Sequence, residues 1–378
     1  MPSRAQSLFR HEPAEEGLAT LPPTWQSRLE TELLGAVQQL PEPGGEQCRR
    51  IIAAGGKRLR PDLLVRSAYA VGGAFSDRAV DQLVVAAAAV ELLHTATLLH
   101  DDLLDDSATR RGVRAVHRVH GRSAAIIVGD ALIGHSWRLI APSGPGAVVD
   151  LAVALQDMCA GEAGEDVLRY DATAGALAAL RVSRLKTGAL LGACCRVGAR
   201  LGGAAERDVE AFGRFGTDFG LALQLVDDVL DVISDESMLG KPCAADFAAG
   251  TLTMPAVFAL GSDQRVGAGG LSPAERRELR GLLRPGLSDV ERERSRQLLV
   301  RSGGPARTIG LARAFAGRAA ASLPVASPAG AALRRMPGRF VEQQLAGKVA
   351  PRDQWVLTDG GPDAVASPDS LQLLQDVG

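Results

Sequence analysis

An all-α fold is what this sequence predicts, and three observations carry the prediction. Alanine, leucine, glycine, arginine and valine dominate the 378 residues, and aromatics make up only 4%. That balance suits helices packed closely through small side chains, not a β-sandwich. Apolar residues recur at helical spacing over long runs, the most apolar being residues 83–99, and no alternation of strands and helices of the βαβ kind appears.

The length allows a sizeable core, as one large domain or two ordinary ones. A formal net charge of −2 indicates no general affinity for nucleic acid. The five cysteines, Cys48, Cys159, Cys194, Cys195 and Cys243, lack zinc-ligand spacing. Cys159, Cys194 and Cys195 sit in apolar helical stretches and read as buried small hydrophobes, which suits a reduced, cytoplasmic setting. The start of the chain lacks a charged segment followed by an apolar core, so no signal peptide is read. Glu91 and His94 interrupt the run 83–99, which therefore reads as a buried helix of a soluble protein and not as a membrane span.

In chain order, residues 1–25 are polar and proline-containing, without a sustained period, and are expected to form a flexible arm. A helix is predicted over 24–39, stopped by Pro41-Glu42-Pro43-Gly44-Gly45. Gly55-Gly56-Lys57-Arg58-Leu59-Arg60-Pro61 makes a tight cationic loop, with Pro61 in the first turn of a helix that runs to Gly72-Gly73. Amides near a helix start, with Lys57 and Arg60, would bind an anionic group well. Taken alone, the stretch fits a basic surface loop equally well.

The central helix begins near Asp77 and ends before Gly112. It carries Glu91, His94 and the cluster His100-Asp101-Asp102-Leu103-Leu104-Asp105-Asp106, followed by Arg110-Arg111. An echo, Asp227-Asp228-Val229-Leu230-Asp231, lies in a helix predicted over 204–233. In each cluster two aspartates stand four apart, Asp101 with Asp105 and Asp227 with Asp231, and so share one helix face. Carboxylates that close raise each other's pKa unless a cation intervenes. Mg²⁺ meets that need, because it takes one or two carboxylates and leaves its other positions to water and substrate phosphates. Two such helices facing each other would clamp a diphosphate. A single pair fits a solvated helix face, whereas two, each on an apolar helix, argue against it. An arginine pair is well matched to phosphate.

Further helices are predicted over 122–140, ended by Pro142 and Pro145, and over 148–169. The helix 176–201 contains Lys186-Thr187-Gly188 and is closed by Gly202-Gly203. A lysine among Leu, Ala and Cys needs a partner if buried, or it snorkels to solvent. Gln224 stands three before Asp227, on a neighbouring face. The loop 234–250 holds Gly240-Lys241-Pro242 and Asp246, and a short helix follows Pro255. Ser272-Pro273-Ala274-Glu275 and Ser288-Asp289-Val290-Glu291 read as capping boxes. They precede helices over 273–283, 288–301 and 306–321, with a last one over 331–345. Residues 351–378 are expected to be a disordered tail, leaving 26–350 as the folded domain. The six histidines form no metal constellation. His94 lies seven before Asp101, on the same helix face, and a lone histidine there is more often a satisfied core residue.

Taken together and in order, several motifs resemble the trans-isoprenyl diphosphate synthase (polyprenyl synthetase) family over roughly residues 50–345. They are the 55–61 loop, Glu91-Leu92-Leu93-His94, the first aspartate cluster, Arg110-Arg111-Gly112, Val128-Gly129-Asp130, Lys186-Thr187, Gln224 with the second cluster, and Gly240-Lys241-Pro242. The resemblance implies antiparallel helices around a deep central cavity (the isoprenoid synthase fold), a homodimer, and head-to-tail condensation of isopentenyl diphosphate with an allylic diphosphate. It implies three Mg²⁺ ions held by Asp101, Asp105 and Asp227, with Asp102, Asp228 and Asp231 in support. Arg110 would help hold the allylic diphosphate, and Lys57, Arg60, His94 and Arg111 would hold isopentenyl diphosphate. Lys186, Thr187, Gln224 and Lys241 would line the region where the carbocation develops.

The chemistry agrees with these assignments, since cations neutralise the departing diphosphate and an apolar wall keeps water from the allylic cation. Two departures stand out. Leu223 replaces a phenylalanine common in the family, and Gly250-Thr251-Leu252-Thr253 lacks a lysine often found there. One helical turn, about 5.4 Å, is close to one isoprene unit. The product tail is expected to run past Ala96 and Thr97 towards a floor at Leu92, Leu93, Ile126 or Ile127, giving geranylgeranyl length or longer. A class I terpene cyclase would have no use for Lys57, Arg60, His94 and Arg111. A non-catalytic subunit of a heteromeric synthase would have lost carboxylates from one cluster, and this chain keeps both.

Overall fold

The computed structural model describes residues 24–72, 75–235, 242–261, 270–324, 327–354, 356–357, 373 and 376–377. Regular structure in them is almost wholly helical. By internal contacts the chain divides into two compact units, where the sequence predicted one domain over 26–350. The first comprises residues 1–153, 193–213 and 324–333, the second 154–192, 214–323 and 334–378.

The first unit contains α1 (Trp25–Val37), α2 (Gly44–Ala53), α3 (Leu59–Val71) and α4 (Asp77–Leu104). A hairpin of β1 (Thr109–Arg110) and β2 (Val113–Arg114) follows, then α5 (Val116–His120) and α6 (Arg122–Ile140). Its spine is α4, against which α1, α3 and α6 pack. Ala86, Ala87, Ala88 and Ala89 on α4 are fully buried, which permits close packing. Ser76 caps the helix by accepting from the Ala79 N–H at 3.3 Å.

Small residues set other approaches too. A Cβ on Gly198 would lie 2.1 Å from the Leu64 carbonyl oxygen. The windows of α4 and of residues 122–143 are both long and apolar enough to cross a membrane, and 72% and 33% of them respectively are buried within the protein.

Helix α7 (Pro145–Leu168) runs on from the first unit's sequence. The chain continues through α8 (Ala176–Ser183), a π-helical turn (Arg184–Gly188) and α9 (Ala189–Leu201) to α10 (Glu206–Ile233). The second unit adds α11 (Ala245–Ala248), α12 (Met254–Leu260), α13 (Pro273–Leu282), α14 (Asp289–Arg301), α15 (Gly304–Ser322) and residues 334–348 of α16 (Pro328–Lys348). Its core gathers Leu221, Leu225 and Val229 of α10 with Val257, Phe258, Leu298 and Phe315. Both predicted capping boxes form, at Ser272 with Glu275 and at Ser288 with Glu291.

Several expectations need correction. The glycines at 44–45, read as a breaker, open α2. A Cβ on Gly44 would lie 2.8 Å from Val128 Cγ2, so glycine here serves helix approach. Helix α4 ends at Leu104, before Gly112 as expected, but it does not carry the whole aspartate cluster: Asp105 is its C-cap, and Asp106 turns left-handed at φ 51°, which breaks the helical hydrogen-bond pattern. Cys159 is exposed, while Cys194 and Cys195 are buried. Residues expected in a disordered tail are ordered where described. Pro351–Asp353 forms a 3₁₀ turn, Asp353 accepts from Arg296 at 3.0 Å, and Val356, Leu373 and Val377 are buried. Residues 1–23 of the expected arm lie outside the described residues.

Candidate active site

Both aspartate clusters lie at the C-terminal ends of 28-residue helices, Asp101 and Asp102 in the last turn of α4 with Asp105 as its C-cap, and Asp227, Asp228 and Asp231 in the last turns of α10. Backbone carbonyls at a helix C-terminus carry partial negative charge, so carboxylates there meet repulsion from the helix as well as from each other. Neither helix places a basic residue in its last turn. A hard divalent cation is the chemical complement of such a donor set. Among the described residues, no three His, Cys, Asp or Glu side chains make a metal site by themselves. Sets of one or two carboxylates are what Mg²⁺ uses when substrate phosphates complete its shell.

In the first unit, Asp101 is half-buried and Asp105 exposed. Asp102 is buried, and its Oδ1 accepts from Arg110 Nε at 2.9 Å and also from Nη2. Asp102 Oδ2 is buried with no partner among the described residues. Asp102 thus anchors Arg110.

A second group of predicted residues involves Glu91, which is 3% exposed, and His94 three residues on. Arg111 Nη2 donates to Glu91 Oε1 at 3.1 Å, and Arg60 Nη1 donates to His94 Nε2 at 3.0 Å. Because a guanidinium only donates, His94 Nε2 accepts and Nδ1 bears the hydrogen. Desolvation, then the charge of Arg60, holds the imidazole well below its usual pKa, so it is neutral. Lys57 is exposed. Leu92, Leu93 and Ala96 are fully buried, whereas Ile126 and Ile127 are exposed on α6 in the single chain. Thr97 is half-buried, with its hydroxyl bonded to the His94 carbonyl at 2.9 Å.

In the second unit, Lys186 and Thr187 lie in the π-helical turn, a motif frequent at functional sites. Lys186 Nζ reaches Glu162 Oε2 at 2.7 Å and Glu165 Oε2 at 2.9 Å. Burial works against the ammonium, but Glu165 and Glu162 outweigh it and lift its pKa to about 12. Sequence reasoning missed both glutamates. Their signal was their spacing, three apart on α7, in the stretch Gly161-Glu162-Ala163-Gly164-Glu165. A Cβ on Gly161 would lie 2.8 Å from Lys186 N, so this glycine admits the π turn.

Thr187 donates to Gln224 Oε1, and Gln224 Nε2 donates to Asp228 Oδ1 at 2.9 Å. Burial pushes the Asp228 carboxyl up to about 8, against the bond from Gln224. Asp227 is exposed; Asp231 is buried and accepts the Asp246 N–H at 3.2 Å. Lys241 lies outside the described residues.

The polyprenyl synthetase family model matches residues 45–277. The short chain isoprenyl diphosphate synthase of Methanothermobacter thermautotrophicus is 39% identical over 217 residues, 56% of this chain and 65% of that one. Heptaprenyl diphosphate synthase component 2 of Geobacillus stearothermophilus is 36% identical over 241 residues, 63% of this chain and 73% of that one. The crystal structure of a polyprenyl synthase from Caulobacter crescentus CB15, complexed with calcium and isoprenyl diphosphate, is similar with a TM-score of 0.75 and 30% identity. That match covers 84% of this chain and 94% of the other. On the family match, the fold and the order of the motifs, this chain belongs to the polyprenyl synthetase family of trans-prenyltransferases.

Proposed function

We propose that this protein condenses isopentenyl diphosphate head-to-tail with an allylic diphosphate, yielding a trans-polyprenyl diphosphate of geranylgeranyl length or longer. One observation carries this further than family membership. Arg111 donates to Glu91, and Arg60 donates to His94, which stands three residues further along the same helix, with Lys57 three residues before Arg60 in the chain. This cationic group supports a second anion site, which a one-substrate cyclase would not need.

Asp101, Asp105 and Asp227 would hold Mg²⁺. Bound there with the substrate, Mg²⁺ supplies counter-charge for the departing diphosphate. Arg110, fixed by Asp102, adds a guanidinium for the same diphosphate. Lys57, Arg60 and Arg111 hold the second diphosphate, with neutral His94 fixing Arg60. The Thr187 and Gln224 side chains present polar atoms near the developing carbocation, and Lys241 belongs to the same group. Apolar residues such as Leu93 and Ala96 would exclude water from the allylic cation.

We also read the chain as a homodimer, supported by the exposed Ile126 and Ile127 on α6 and Val149 and Val153 on α7. The five cysteines are free thiols, in keeping with a cytoplasmic setting.

The test is an assay of the purified chain with Mg²⁺, labelled isopentenyl diphosphate and farnesyl diphosphate, reading products by length. A ladder of linear prenyl diphosphates is expected. Cyclised hydrocarbon formed without consumption of isopentenyl diphosphate would move the assignment to a cyclase. A subunit of a heteromeric synthase is the second reading, favoured by the name of the Geobacillus relative. It predicts no product from the chain alone.

A further inference from the structure

The cationic loop before α3 does not point all its cations the same way. Lys57 is exposed and Arg60 meets His94, but Arg58 turns inward, its side chain only 10% exposed. Its backbone is left-handed at φ 48° and ψ 35°, a conformation that costs a non-glycine residue about 1–2 kcal/mol. Something must hold it there.

What holds it is a set of hydrogen bonds directed into the first unit. Arg58 Nε and Nη2 grip both carboxylate oxygens of Glu30 on α1, at 2.8 and 3.0 Å. Nη2 also donates to the Ile52 carbonyl at 3.0 Å, and Nη1 donates to Glu91 Oε1 at 2.7 Å. The paired Arg–carboxylate geometry with Glu30 is the strong form of this interaction. The bonds from Glu30 and Glu91 raise the pKa of Arg58 despite its burial.

Glu91 Oε1 thus accepts from two guanidiniums, Arg58 and Arg111. Arg111 is also left-handed, at φ 53°, and lies against the same loop: a Cβ on Gly56 would sit 3.2 Å from its Cζ. Arg111 Nη1 is buried with no partner among the described residues, a donor held ready for an anion. His94 follows Glu91 by three residues, so it shares that face of α4.

We propose that Glu91 and Arg58 are positioning residues, and that Glu30 on α1 completes their network. They touch no substrate. They fix Arg111 and the 55–61 loop so that Lys57, Arg60 and Arg111 form a preformed site for the second diphosphate. Helix α1 thereby becomes part of that site's scaffold. This rests on the assignment of those cations to isopentenyl diphosphate.

The test compares the full chain with Glu30→Gln, Arg58→Lys and Glu91→Gln, varying each substrate separately. Removing one partner of a charged hydrogen bond corresponds to about a tenfold change or more. The KM for isopentenyl diphosphate should rise about tenfold in Arg58→Lys and Glu91→Gln, and about threefold in Glu30→Gln. The KM for farnesyl diphosphate and kcat at saturation should stay within about twofold. An equal rise in both KM values, or no change in either, overturns the proposal. Should the buried Glu91→Gln variant fail to fold, Glu30→Gln, at a half-exposed site, decides alone.

If the wild-type chain consumes no isopentenyl diphosphate, the functional assignment fails on its own account. Metal-free calorimetry with inorganic pyrophosphate then reads the network directly. Weaker binding by Arg58→Lys supports the positioning role, and unchanged binding overturns it.

Discussion

The Thr187 hydroxyl donates to Gln224 Oε1 at 2.8 Å, and this bond fixes which way the Gln224 amide faces. With Oε1 occupied, Nε2 is left to donate to Asp228. Thr187→Val keeps the side chain's shape and removes the donor. It should lower kcat by about tenfold and leave the KM for isopentenyl diphosphate unchanged. Steady-state kinetics check this, and a change confined to that KM would refute it.

Asp101→Ala and Asp227→Ala should each reduce turnover by about a thousandfold, the scale of losing a main electrostatic stabiliser of a developing anion. Chelation of divalent metal should abolish wild-type activity, and Mg²⁺ should restore it. Asp102→Asn should act differently. It loosens Arg110, so the expected effect is a raised KM for the allylic substrate, with the Mg²⁺ requirement unchanged.

His94 makes stability fall in mild acid. The folded imidazole stays neutral while the unfolded one protonates near its usual value of 6.5. Below that pH the unfolded state binds more protons, so stability rises with pH through this range and drops by up to about 1.4 kcal/mol per unit as pH falls. His94→Gln, whose amide oxygen still accepts from Arg60, should narrow the difference between urea midpoints at pH 7 and pH 5.

Gly198→Ala should destabilise the fold by about 1–3 kcal/mol, because its Cβ would strike the Leu64 carbonyl on the neighbouring helix. Gly35→Ala, in α1 with nothing within 4 Å of its Cβ, should stabilise by about 0.5–1 kcal/mol. Thermal unfolding of the pair separates glycines kept for packing from those that are not.

Ala96→Phe should shorten the products, since Ala96 is fully buried one turn before the first aspartate cluster. Chromatography of the product ladder checks this. An unchanged ladder with normal turnover would place the tail elsewhere.

The helices were legible in the sequence because apolar period, capping boxes and proline breaks are local signals. Helix α2 was not, because glycines at 44–45 that admit Val128 look the same as glycines that make a turn. The hairpin carrying Arg110 and Arg111 was hidden as well. Two residues per strand leave no alternation to read, and the stop at Asp106 depends on a left-handed backbone in a residue other than glycine. Among candidate site residues, types and order were readable, but partners were not. Nothing local ties Lys186 to Glu162, or Arg58 to Glu30, because those pairs form only when distant helices pack.

The π-helical turn at Arg184–Gly188 sits inside an otherwise continuous helix spanning residues 176–201. Such a turn holds one residue more than the α-helix around it needs. Deleting a single residue there would restore a plain α-helix, and because the wider turn already absorbs the extra residue, the helix faces on either side would keep nearly their phase. The change would fall on the turn itself, where Lys186 and Thr187 meet their partners. The extra residue thus serves the local aim of these two side chains and not the run of the helix beyond them.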